Sequence, residues 1–519
     1  MLGLKWLLIV PLVSLSCIDT ADILVVSTFP GKSHGILGDG IVRLLLAAGH
    51  QVTYITSFPT RKSYPNLTEV DVSHNMELSP INTIKINSIL DKEVDPRDVT
   101  RHVHVMLNLS NSTYTSENVQ KIIMDPLQKF DAVIGEWLFS EMSSGFAALF
   151  DCPLIWFSTM EPHWMVTKLI DERLHPAYNP DWTTKHLPPF TFKQRVQELW
   201  NQIFMSTFME YFFVPKEEKI YQAVFGPAMA LRGKSLPSYY DMRFNGSLML
   251  GNSHVSLGQA TRLPQNYKPI GGCHIDFNFK PLPEDLKKIF DNAEHGVVYF
   301  SMGSNLKSKD IPEKLKKDLL EMFGTLKYAV LWKFEEVLSD LPRNVHIVKW
   351  APQLSVLAHP KTIVFITHGG LLSTIETVHF GVPIIGIPVF ADQFNNVDRT
   401  VKKGFAKRVD LSYTMAHDLK AAIEEIVNNP RYAAKVKELS LIYHDRPVSP
   451  GKELVHWVEH VIKTKGAPHL RSPALHVPWY QKMYFDLAAL MMAGLLAIKI
   501  VLKRLFYSKK RITSLKKNN

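Results

Sequence analysis

The sequence predicts an α/β protein with two doubly wound parallel sheets, and three observations support this prediction. Runs of strand-forming apolar residues alternate with segments of helical apolar spacing through most of the chain. A Pro-interrupted stretch, DFNFKPLPEDL (276–286), separates two such alternating regions. A chain of 519 residues with 46% hydrophobic composition can bury a large core and favours two domains over one.

The first predicted domain covers residues 22–275 and starts with a strand–helix–strand unit. DILVVST is predicted as a strand, GILGDGIVRLLLAAGH has apolar residues near helical spacing, and QVTYIT is the next strand. FDAVIGEW and CPLIWFS predict two more strands around the helical EMSSGFAALF. Residues 163–257 are rich in Phe, Met, Tyr and Trp, which fits either helices and loops that line an apolar cleft or a plain hydrophobic core.

The second predicted domain covers residues 287–465 and follows a linker at 276–286. Its predicted strands are GVVYFSMGS, YAVLWKF, VHIVKW, TIVFITH and VPIIGIPVF, with a Lys-rich helix at 312–326. In open sheets of this kind, ligands bind beyond the carboxyl ends of the strands. We therefore expect the functional residues to lie where these strands end.

The amino terminus resembles a secretory signal peptide. Residues 1–21 combine an early Lys5, an apolar run and small residues near a cleavage point between Ser16 and Ala21. An uncleaved anchor and a buried first strand are the alternatives, because the strand-like DILVVST follows so soon.

The carboxyl terminus predicts a single transmembrane helix at 483–504, after a juxtamembrane segment at 466–482. The uncharged centre is short, but aromatic residues precede it and a basic tail at 505–519 follows it, as the positive-inside rule requires. Together with a signal peptide this gives a type I topology with a lumenal body. Lys516 and Lys517 resemble a di-lysine retrieval signal of the endoplasmic reticulum, with a generic basic tail as the alternative.

The charge distribution argues against a nucleic-acid partner. The formal net charge is +10, but residues 499–519 hold eight lysines and arginines and no acid, so the globular part has little basic excess. Four Asn-X-Ser/Thr sequons, at Asn66, Asn108, Asn111 and Asn245, are consistent with a lumenal body.

If Cys17 leaves with the signal peptide, Cys152 and Cys273 allow at most one disulfide, and two unpaired buried thiols are the alternative.

The stretch FPGKSHG (29–35) follows the first predicted strand and poses a choice between phosphate binding and histidine chemistry. A P-loop requires a glycine five positions before its Gly-Lys-Ser, and that position is Val26, inside the strand. Gly31-Lys32-Ser33 is therefore weak evidence for phosphate binding, and His34 is the stronger candidate.

A block from Trp350 to Gln393 carries the strongest chemical pattern: WAPQLSVLAHPKTIVFITHGGLLSTIETVHFGVPIIGIPVFADQ. A strand ends in Thr-His-Gly-Gly and a helix follows, so the turn lets a ligand approach the backbone and the helix amino terminus favours a phosphate. The side chains that can bind a nucleotide sugar are His368 and Ser373 for phosphate, Glu376 for ribose, Asp392 and Gln393 for a sugar, and Trp350 for a base. Singly, His368 could be a helix cap and Trp350 a core residue; together, at successive strand ends, they indicate a site.

This block closely resembles the signature of the UDP-glycosyltransferase family, in which W-x-P-Q, H-x-G, a Ser and a Glu on the next helix, and a D-Q pair bind the UDP-sugar. The resemblance continues through VVYFSMGS and through HDRPVSPGKELVHWVEHVIKTKGAPHLR, and it covers nearly the whole chain. The motif HGGLLST is most similar to the insect branch of the animal members.

The resemblance implies a GT-B fold, with two Rossmann-like domains facing a cleft, the UDP-sugar in the C-terminal domain and the acceptor in the N-terminal one. It implies that Trp350 stacks on uracil, that Gln353 holds the nucleoside end, that Glu376 binds ribose, and that Asp392 and Gln393 bind the transferred sugar. The implied diphosphate contacts are Ser301, Ser304, His368, Gly370 and Ser373. Leu372 departs from the family pattern, because many relatives carry Asn there, so donor preference cannot be copied from them.

The resemblance also implies that His34 is the catalytic base, in the loop after the first strand. An imidazole with an ordinary pKa near 6.5 suits removal of a hydroxyl proton at neutral pH. The family usually orients this histidine with an Asp after a later strand of the same domain, and the matching residue here is Glu136. Glu141, or a structural ion pair at Glu136, is the alternative.

These residues predict an inverting transfer of a hexose, most simply glucose, from UDP-sugar to a hydroxyl of a small lipophilic acceptor. No metal or other cofactor is expected, because the lumenal body has no paired-Asp motif and its histidines form no ligand-spaced cluster; His102 and His104 alternate as exposed strand residues would. The alternatives are a non-catalytic UDP-sugar-binding membrane protein and a sugar-nucleotide hydrolase or epimerase. The oligomeric state stays open, a homo-oligomer included.

Overall fold

Two parallel sheets form the core of the computed structural model, which describes residues 20–79, 86–96, 98–276, 278–304 and 310–517. Within these ranges, the first sheet has seven strands in the order β3-β2-β1-β4-β5-β6-β7, and the second has six in the order β10-β9-β8-β11-β12-β13. The first sheet comprises β1 (Asp22–Ser27), β2 (Gln51–Thr56), β3 (Leu67–Asp71), β4 (Ala132–Trp137), β5 (Leu154–Ser158), β6 (Gly246–Gly251) and β7 (Tyr267–Pro269). The second comprises β8 (Val297–Ser301), β9 (Ala329–Lys333), β10 (Val345–Val348), β11 (Thr362–Thr367), β12 (Ile384–Gly386) and β13 (Ala406–Arg408).

Helices connect the strands of both sheets, as the alternating pattern predicts. In the first half they are α1 (Lys32–Ala47), α2 (Ile86–Leu90), α3 (Val99–Thr115), α4 (Glu117–Met124), α5 (Ser144–Phe150), α6 (Trp164–Thr167), α7 (Phe192–Phe208), α8 (Val214–Leu231) and α9 (Tyr239–Met242). In the second half they are α10 (Glu284–Asn292), α11 (Glu313–Gly324), α12 (Gln353–Ala358), α13 (Leu371–Phe380), α14 (Gln393–Lys402), α15 (Met415–Asn428), α16 (Pro430–His444) and α17 (Pro450–Lys463), followed by α18 (Trp479–Lys482) and α19 (Phe485–Lys517). His102 and His104 lie on helix α3, so the prediction that they alternate along a strand is wrong.

The central strands are buried on both faces, which explains why they read as continuous apolar runs. All five residues of β5 (LIWFS) and of β8 (VVYFS) are buried. A parallel sheet covered by helices on both sides requires this pattern, because neither face meets water.

The strand order reverses next to β1 in the first sheet and next to β8 in the second. β1 pairs with β2 on one side and β4 on the other, while β8 pairs with β9 and β11. Connections leave the sheet in opposite directions at such a switch point and open a crevice at the carboxyl ends of the strands. His34 follows β1, Glu136 lies near the end of β4, and His368 follows β11, so the fold brings these residues to the two crevices.

Helix α17 belongs to the predicted second domain but packs on the first sheet. Its buried residues Leu454, Val458 and Val461 share a core cluster with Ile23 of β1 and Leu37 of α1. Residues up to Leu470 accordingly form one compact unit that includes both sheets.

The aromatic region at 163–257 does not line a cleft as one of its two interpretations proposed. Of its described residues only Trp182 lines the main cavity, whereas many others, including Trp164 and Phe225, belong to the hydrophobic core. The outer face of α7 is apolar: Phe192 is 75% exposed and Trp200 is 68% exposed. Its inner face buries Glu198, Gln202 and Met205. An ordinary surface helix buries its apolar face and exposes its polar face, whereas α7 exposes large apolar side chains and buries two polar ones.

The carboxyl-terminal helix α19 matches the predicted membrane segment. Its stretch Phe485–Lys509 is long and apolar enough to cross a membrane, with a mean hydropathy of 2.1. Residues 471–519 form a second compact unit. The predicted signal peptide lies almost entirely outside the described residues. Lys516 and Lys517 of the predicted retrieval signal are the last two described residues, and the two residues that follow them lie outside the described ranges.

An ion pair without solvent contact stabilises the first half. Arg243 Nε donates to Glu141 Oε2 at 3.0 Å, and both side chains are 0% exposed. Trp137 Nε1 donates to the other Glu141 oxygen at 2.9 Å, and the Arg243 charge holds the pKa of Glu141 below its ordinary value despite burial. Glu141 is therefore a structural residue of the core.

Replacing Arg243 with Met should leave the Glu141 carboxylate buried without its cation. We expect the variant to lose about 3–5 kcal/mol of stability, because an unpaired buried charge is strongly destabilising. Thermal unfolding of the detergent-solubilised chain measures the effect. Arg431→Met removes an exposed arginine that pairs with Glu425 at 3.4 Å; this control should change the melting temperature little, and equal shifts for the two variants would contradict the prediction.

Candidate active site

One cavity of about 360 Å³ lies where the carboxyl ends of the two sets of strands meet. Its volume is within the range of small-molecule sites, which is about 300–1,000 Å³. Of the predicted site residues, all but Glu136 line it: His34, Ser301, Ser304, Trp350, Gln353, His368, Gly370, Ser373, Glu376, Asp392 and Gln393. Residues as far apart in the sequence as His34 and Gln393 thus meet around a single cavity.

His34 and Glu136 form a hydrogen-bonded pair at the wall of this cavity. His34 Nδ1 contacts Glu136 Oε1, and Ser27 Oγ donates to the other Glu136 oxygen at 2.7 Å. The Glu136 side chain is 4% exposed, whereas that of His34 is 15% exposed and reaches the cavity. Because Nδ1 is engaged by the carboxylate, Nε2 is the nitrogen left for a ligand.

The local backbone explains where His34 points. Helix α1 begins at Lys32, so His34 lies in its first turn rather than in the preceding loop. Gly31 caps the helix, and a Cβ there would lie 2.8 Å from the Phe29 ring. The Phe29 ring packs against the imidazole with their centroids 4.5 Å apart, which limits the orientations of His34.

His368 is packed between two glycine turns. A Cβ at Gly303 would lie 2.4 Å from His368 Cε1, and one at Gly370 would lie 2.6 Å from Nε2. Both turns therefore need glycine for the ring to fit. Burial, together with the Lys333 charge, lowers the pKa of His368 to about 4. At neutral pH this side chain is an uncharged hydrogen-bonding group.

A hydrogen-bonded group around Glu376 continues the wall. Gln353 Nε2 donates to Ser373 Oγ at 3.1 Å and to Glu376 Oε2 at 2.5 Å. Tyr299 OH donates to Gln353 Oε1 at 3.2 Å. The second Glu376 oxygen lies 3.2 Å from His274 Nε2, which comes from the end of the first half. The orientation of Glu376 therefore depends on both halves of the molecule.

Asp392 and Gln393 begin helix α14 next to the cavity. Gln393 Oε1 accepts from the backbone N–H groups of Val389 and Phe390 at 3.0 and 3.1 Å, which leaves its amide N–H groups for a ligand. Asp392 accepts from Asn396 Nδ2 at 2.9 Å. Burial raises the pKa of the Asp392 carboxyl above its ordinary value, while the hydrogen bond from Asn396 and the Arg399 charge oppose that rise. Asp392 and His34 line the same cavity.

The first half contributes mostly apolar side chains to the lining, here called the apolar wall: Phe29, Ile36, Leu37, Val105, Met106, Leu138, Phe139, Met160 and Trp182. The same half also contributes the polar residues Ser33, His34, Thr159 and His274. Leu372, the departure from the family pattern, lines the cavity as well. The lining thus combines polar groups that come mostly from the second half, here called the polar wall, with apolar side chains from the half that carries His34.

Three residues of the site were missed by the sequence reasoning. His274 lies just before the predicted linker, and its partner Glu376 is 102 positions away, so no local pattern connects them. Lys333 ends β9, and its Nζ donates to the Gly303 carbonyl at 2.9 Å. Lys32 begins α1 and does not line the cavity, but its Nζ lies 3.6 Å from the centroid of the Trp350 ring, which does.

The remaining predicted sites are distributed over the surface and the core. Asn66, Asn108 and Asn111 are exposed, the last two on helix α3, and Asn245 is half-buried before β6. Cys152 and Cys273 are both free. Burial raises the pKa of each thiol to about 12, so neither is a reactive thiolate.

Comparison with known proteins identifies the family. The sequence model described as "UDP-glucoronosyl and UDP-glucosyl transferase" matches residues 22–519. UDP-glucosyltransferase 2 of Dactylopius coccus is 32% identical, with 98% of each chain covered. UDP-glucuronosyltransferase 2B15 of Homo sapiens is 27% identical, with 97% of this chain and 96% of that protein covered.

Solved structures share the architecture. UGT89C1 of Arabidopsis thaliana, complexed with UDP, gives a TM-score of 0.56 at 15% identity, with 85% of this chain and 100% of that chain covered. The glycosyltransferase SnogD from Streptomyces nogalater gives 0.53 at 15% identity, with 85% and 99% covered. These likenesses, with the two parallel sheets, confirm the GT-B fold. The chain belongs to the UDP-glucoronosyl and UDP-glucosyl transferase family and is a glycosyltransferase.

Proposed function

We propose that this enzyme transfers a hexose, glucose, from a UDP-sugar to a hydroxyl of a small lipophilic acceptor, with inversion at the anomeric carbon. The observation that carries the proposal is the His34–Glu136 pair, whose imidazole reaches a cavity lined by both polar and apolar side chains. Glucose is proposed as the sugar because a relative with 32% identity over 98% of the chain is named a UDP-glucosyltransferase.

His34 is proposed to act as general base through Nε2. The acceptor oxygen forms a bond to the anomeric carbon while its proton passes to Nε2, and the bond from that carbon to the β-phosphate oxygen breaks. The departing UDP keeps the electron pair. Glu136 holds the imidazole through Nδ1 and stabilises the imidazolium that forms, with Ser27 fixing the carboxylate in turn.

The polar wall is proposed to bind the donor. Trp350 stacks on uracil, Gln353 and Glu376 hold the nucleoside, and Asp392 with Gln393 binds the sugar. The diphosphate contacts are Ser301, Ser304, His368, Gly370 and Ser373, at turns where glycine leaves the backbone open to a ligand. We propose that no metal takes part, because the amino terminus of α13 and the Lys333 ammonium provide positive charge for the diphosphate.

The apolar wall is proposed to bind the acceptor. Its side chains are aliphatic and aromatic, they line the same cavity as His34, and the Phe29 ring packs on the His34 imidazole. A phenol, a polycyclic aromatic alcohol or a steroid has a hydroxyl on an apolar skeleton, so the hydroxyl can reach His34 while the skeleton contacts the apolar wall.

The body is proposed to lie in the lumen of the endoplasmic reticulum, anchored by α19 as a type I protein. Helix α19 contains a stretch of span length, and a basic segment follows its apolar part. Exposed sequons at Asn66, Asn108 and Asn111 are accessible to glycosylation in that compartment. Lys516 and Lys517 are proposed as the retrieval signal.

Wild-type microsomes should convert lipophilic alcohols and phenols to hexosides with UDP-glucose as donor. His34→Ala should lower kcat by about 10²–10⁴-fold, because a general base contributes that much, while UDP binding persists. Mass spectrometry across several UDP-sugars and acceptor classes measures both. His417→Ala, which changes a histidine that is 91% exposed, is the matched control and should retain full rate.

Four outcomes would contradict parts of this proposal. A His34→Ala enzyme with most of its rate would remove His34 from the mechanism. Free sugar released without acceptor would indicate a hydrolase, and UDP-sugar binding without turnover over the whole panel would indicate a non-catalytic binding protein. Loss of activity in EDTA would overturn the metal-free proposal.

Asp392→Ala and Gln393→Ala should weaken UDP-glucose binding and change UDP binding little, because their proposed contacts are to the sugar. Isothermal titration with the two ligands separates these effects. Asp418→Ala, at a side chain that is 67% exposed, is the matched control. Equal losses for UDP and UDP-glucose would refute the sugar contact.

Lumenal topology should make the sequons substrates for glycosylation. Peptide N-glycosidase treatment of the expressed chain should increase its gel mobility, and Asn66→Gln, Asn108→Gln and Asn111→Gln together should remove most of that shift. Protease added to sealed microsomes should remove only the tail. A body that is digested in sealed vesicles would show the opposite orientation.

A further inference from the structure

Lys32 connects the catalytic helix of the first half with the predicted base-binding residue of the second. It is the first residue of α1, two positions before His34. Its ammonium lies 3.6 Å from the centroid of the Trp350 ring, and Trp350 follows β10 in the other half. Trp350 is 51% exposed, so one face of a ring that is otherwise open to solvent is covered by this cation.

A second cation lies at the same ring. Lys333 Nζ is 5.6 Å from the Trp350 centroid, and it is held by the Gly303 carbonyl at 2.9 Å and by Glu335 Oε1 at 2.7 Å. Among the described residues no carboxylate lies within 4.0 Å of the Lys32 ammonium. Desolvation and then the Lys333 charge lower the pKa of Lys32 from its ordinary value. The ring thus has two cations beside it, and the Glu335 carboxylate pairs with Lys333, so this region favours the arrival of an anion.

A UDP-sugar would bring a diphosphate anion and a uracil ring together to the region of Lys32 and Trp350. A uracil ring that stacks on the covered face of Trp350 must displace the Lys32 ammonium. The same ligand carries a diphosphate, whose β-phosphate is bonded to the anomeric carbon at which His34 acts. Lys32 lies two residues before His34 in the first turn of α1. Its long flexible side chain lets the ammonium move towards the charge of the diphosphate.

We propose that Lys32 is a donor-positioning residue whose ammonium leaves the Trp350 ring and binds the diphosphate when the donor binds. Without donor its ammonium covers the base-stacking face. With donor, uracil occupies that face and the ammonium binds the diphosphate, so that the helix carrying His34 is tied to the sugar it will act on. The inference rests on the proposed UDP-sugar site and adds a contact from the first half to the nucleotide.

Comparison of UDP with uridine tests this exchange, because uridine has the base and lacks the diphosphate. Lys32→Met keeps the length of the side chain and removes its charge. We expect UDP to bind the variant about ten-fold more weakly, the size of a charged hydrogen bond. Uridine should bind as in the wild type or up to about five-fold more tightly, since no cation–π contact has to be broken. Isothermal titration of the full-length chain in nanodiscs gives both constants.

Two matched variants and one kinetic measurement sharpen the test. Lys32→Arg should keep the wild-type ratio of UDP to uridine affinity. Lys349→Met, at an exposed lysine adjacent to Trp350, should also leave that ratio unchanged. With acceptors that the wild-type enzyme converts, Lys32→Met should raise the KM for UDP-glucose by a larger factor than it lowers kcat.

Each remaining outcome overturns the proposal or the site on which it rests. If Lys32→Met tightens UDP and uridine equally, Lys32 only covers the ring. If both ligands weaken equally and the melting temperature falls, its role is structural. If the wild-type chain binds UDP no better than uridine, or binds neither, the proposed donor site fails, and that result is distinct from failure of the Lys32 exchange in an enzyme that binds UDP well.

Discussion

The parallel arrangement of the strands is the constraint on which the site depends. Because every strand in a parallel sheet ends at the same edge, residues that follow different strands meet there whatever their separation in sequence. Reversal of strand order beside β1 and beside β8 opens a crevice in each sheet at that edge. The two crevices share one cavity, and the His34–Glu136 pair and the His368 turns lie on its two sides.

The polar wall contains groups that favour an anion without a charged histidine. His368 is neutral at pH 7 because burial outweighs any gain from protonation. Positive potential comes instead from the amino terminus of α13, whose first N–H groups lack a side-chain cap, and from Lys333 behind the Gly303 turn. Fixed dipoles of this kind need no rearrangement when negative charge develops on a leaving group, which is why they suit a transferase.

Sequence reasoning predicted the fold class, the alternation of elements and the polar residues that line the cavity, because these depend on local apolar patterns and on strand ends. It also paired His34 with Glu136, which the geometry of β1 and β4 brings into contact. It missed His274 and the contact of Lys32, because these cross between halves and leave no periodic signal. It placed His34 in a loop, since the Pro-Gly pair hides a helix that already begins at Lys32. The aromatic region at 163–257 misled it, because core packing, an exposed helix face and a binding cleft all demand apolar side chains.

Contacts between the halves have a consequence for the donor site. Glu376 is held from its own half by Gln353 and from the other half by His274, and Trp350 is covered by Lys32. Elsewhere Tyr443 OH donates to the Gly271 carbonyl at 3.2 Å, and α17 packs on α1, so the halves are bound together away from the cavity as well. A ligand that replaces the side-chain contacts inside the cavity would therefore alter how the halves meet without separating them. The residues that bridge the cavity are then the means by which a ligand on the polar wall would affect the helix that carries His34.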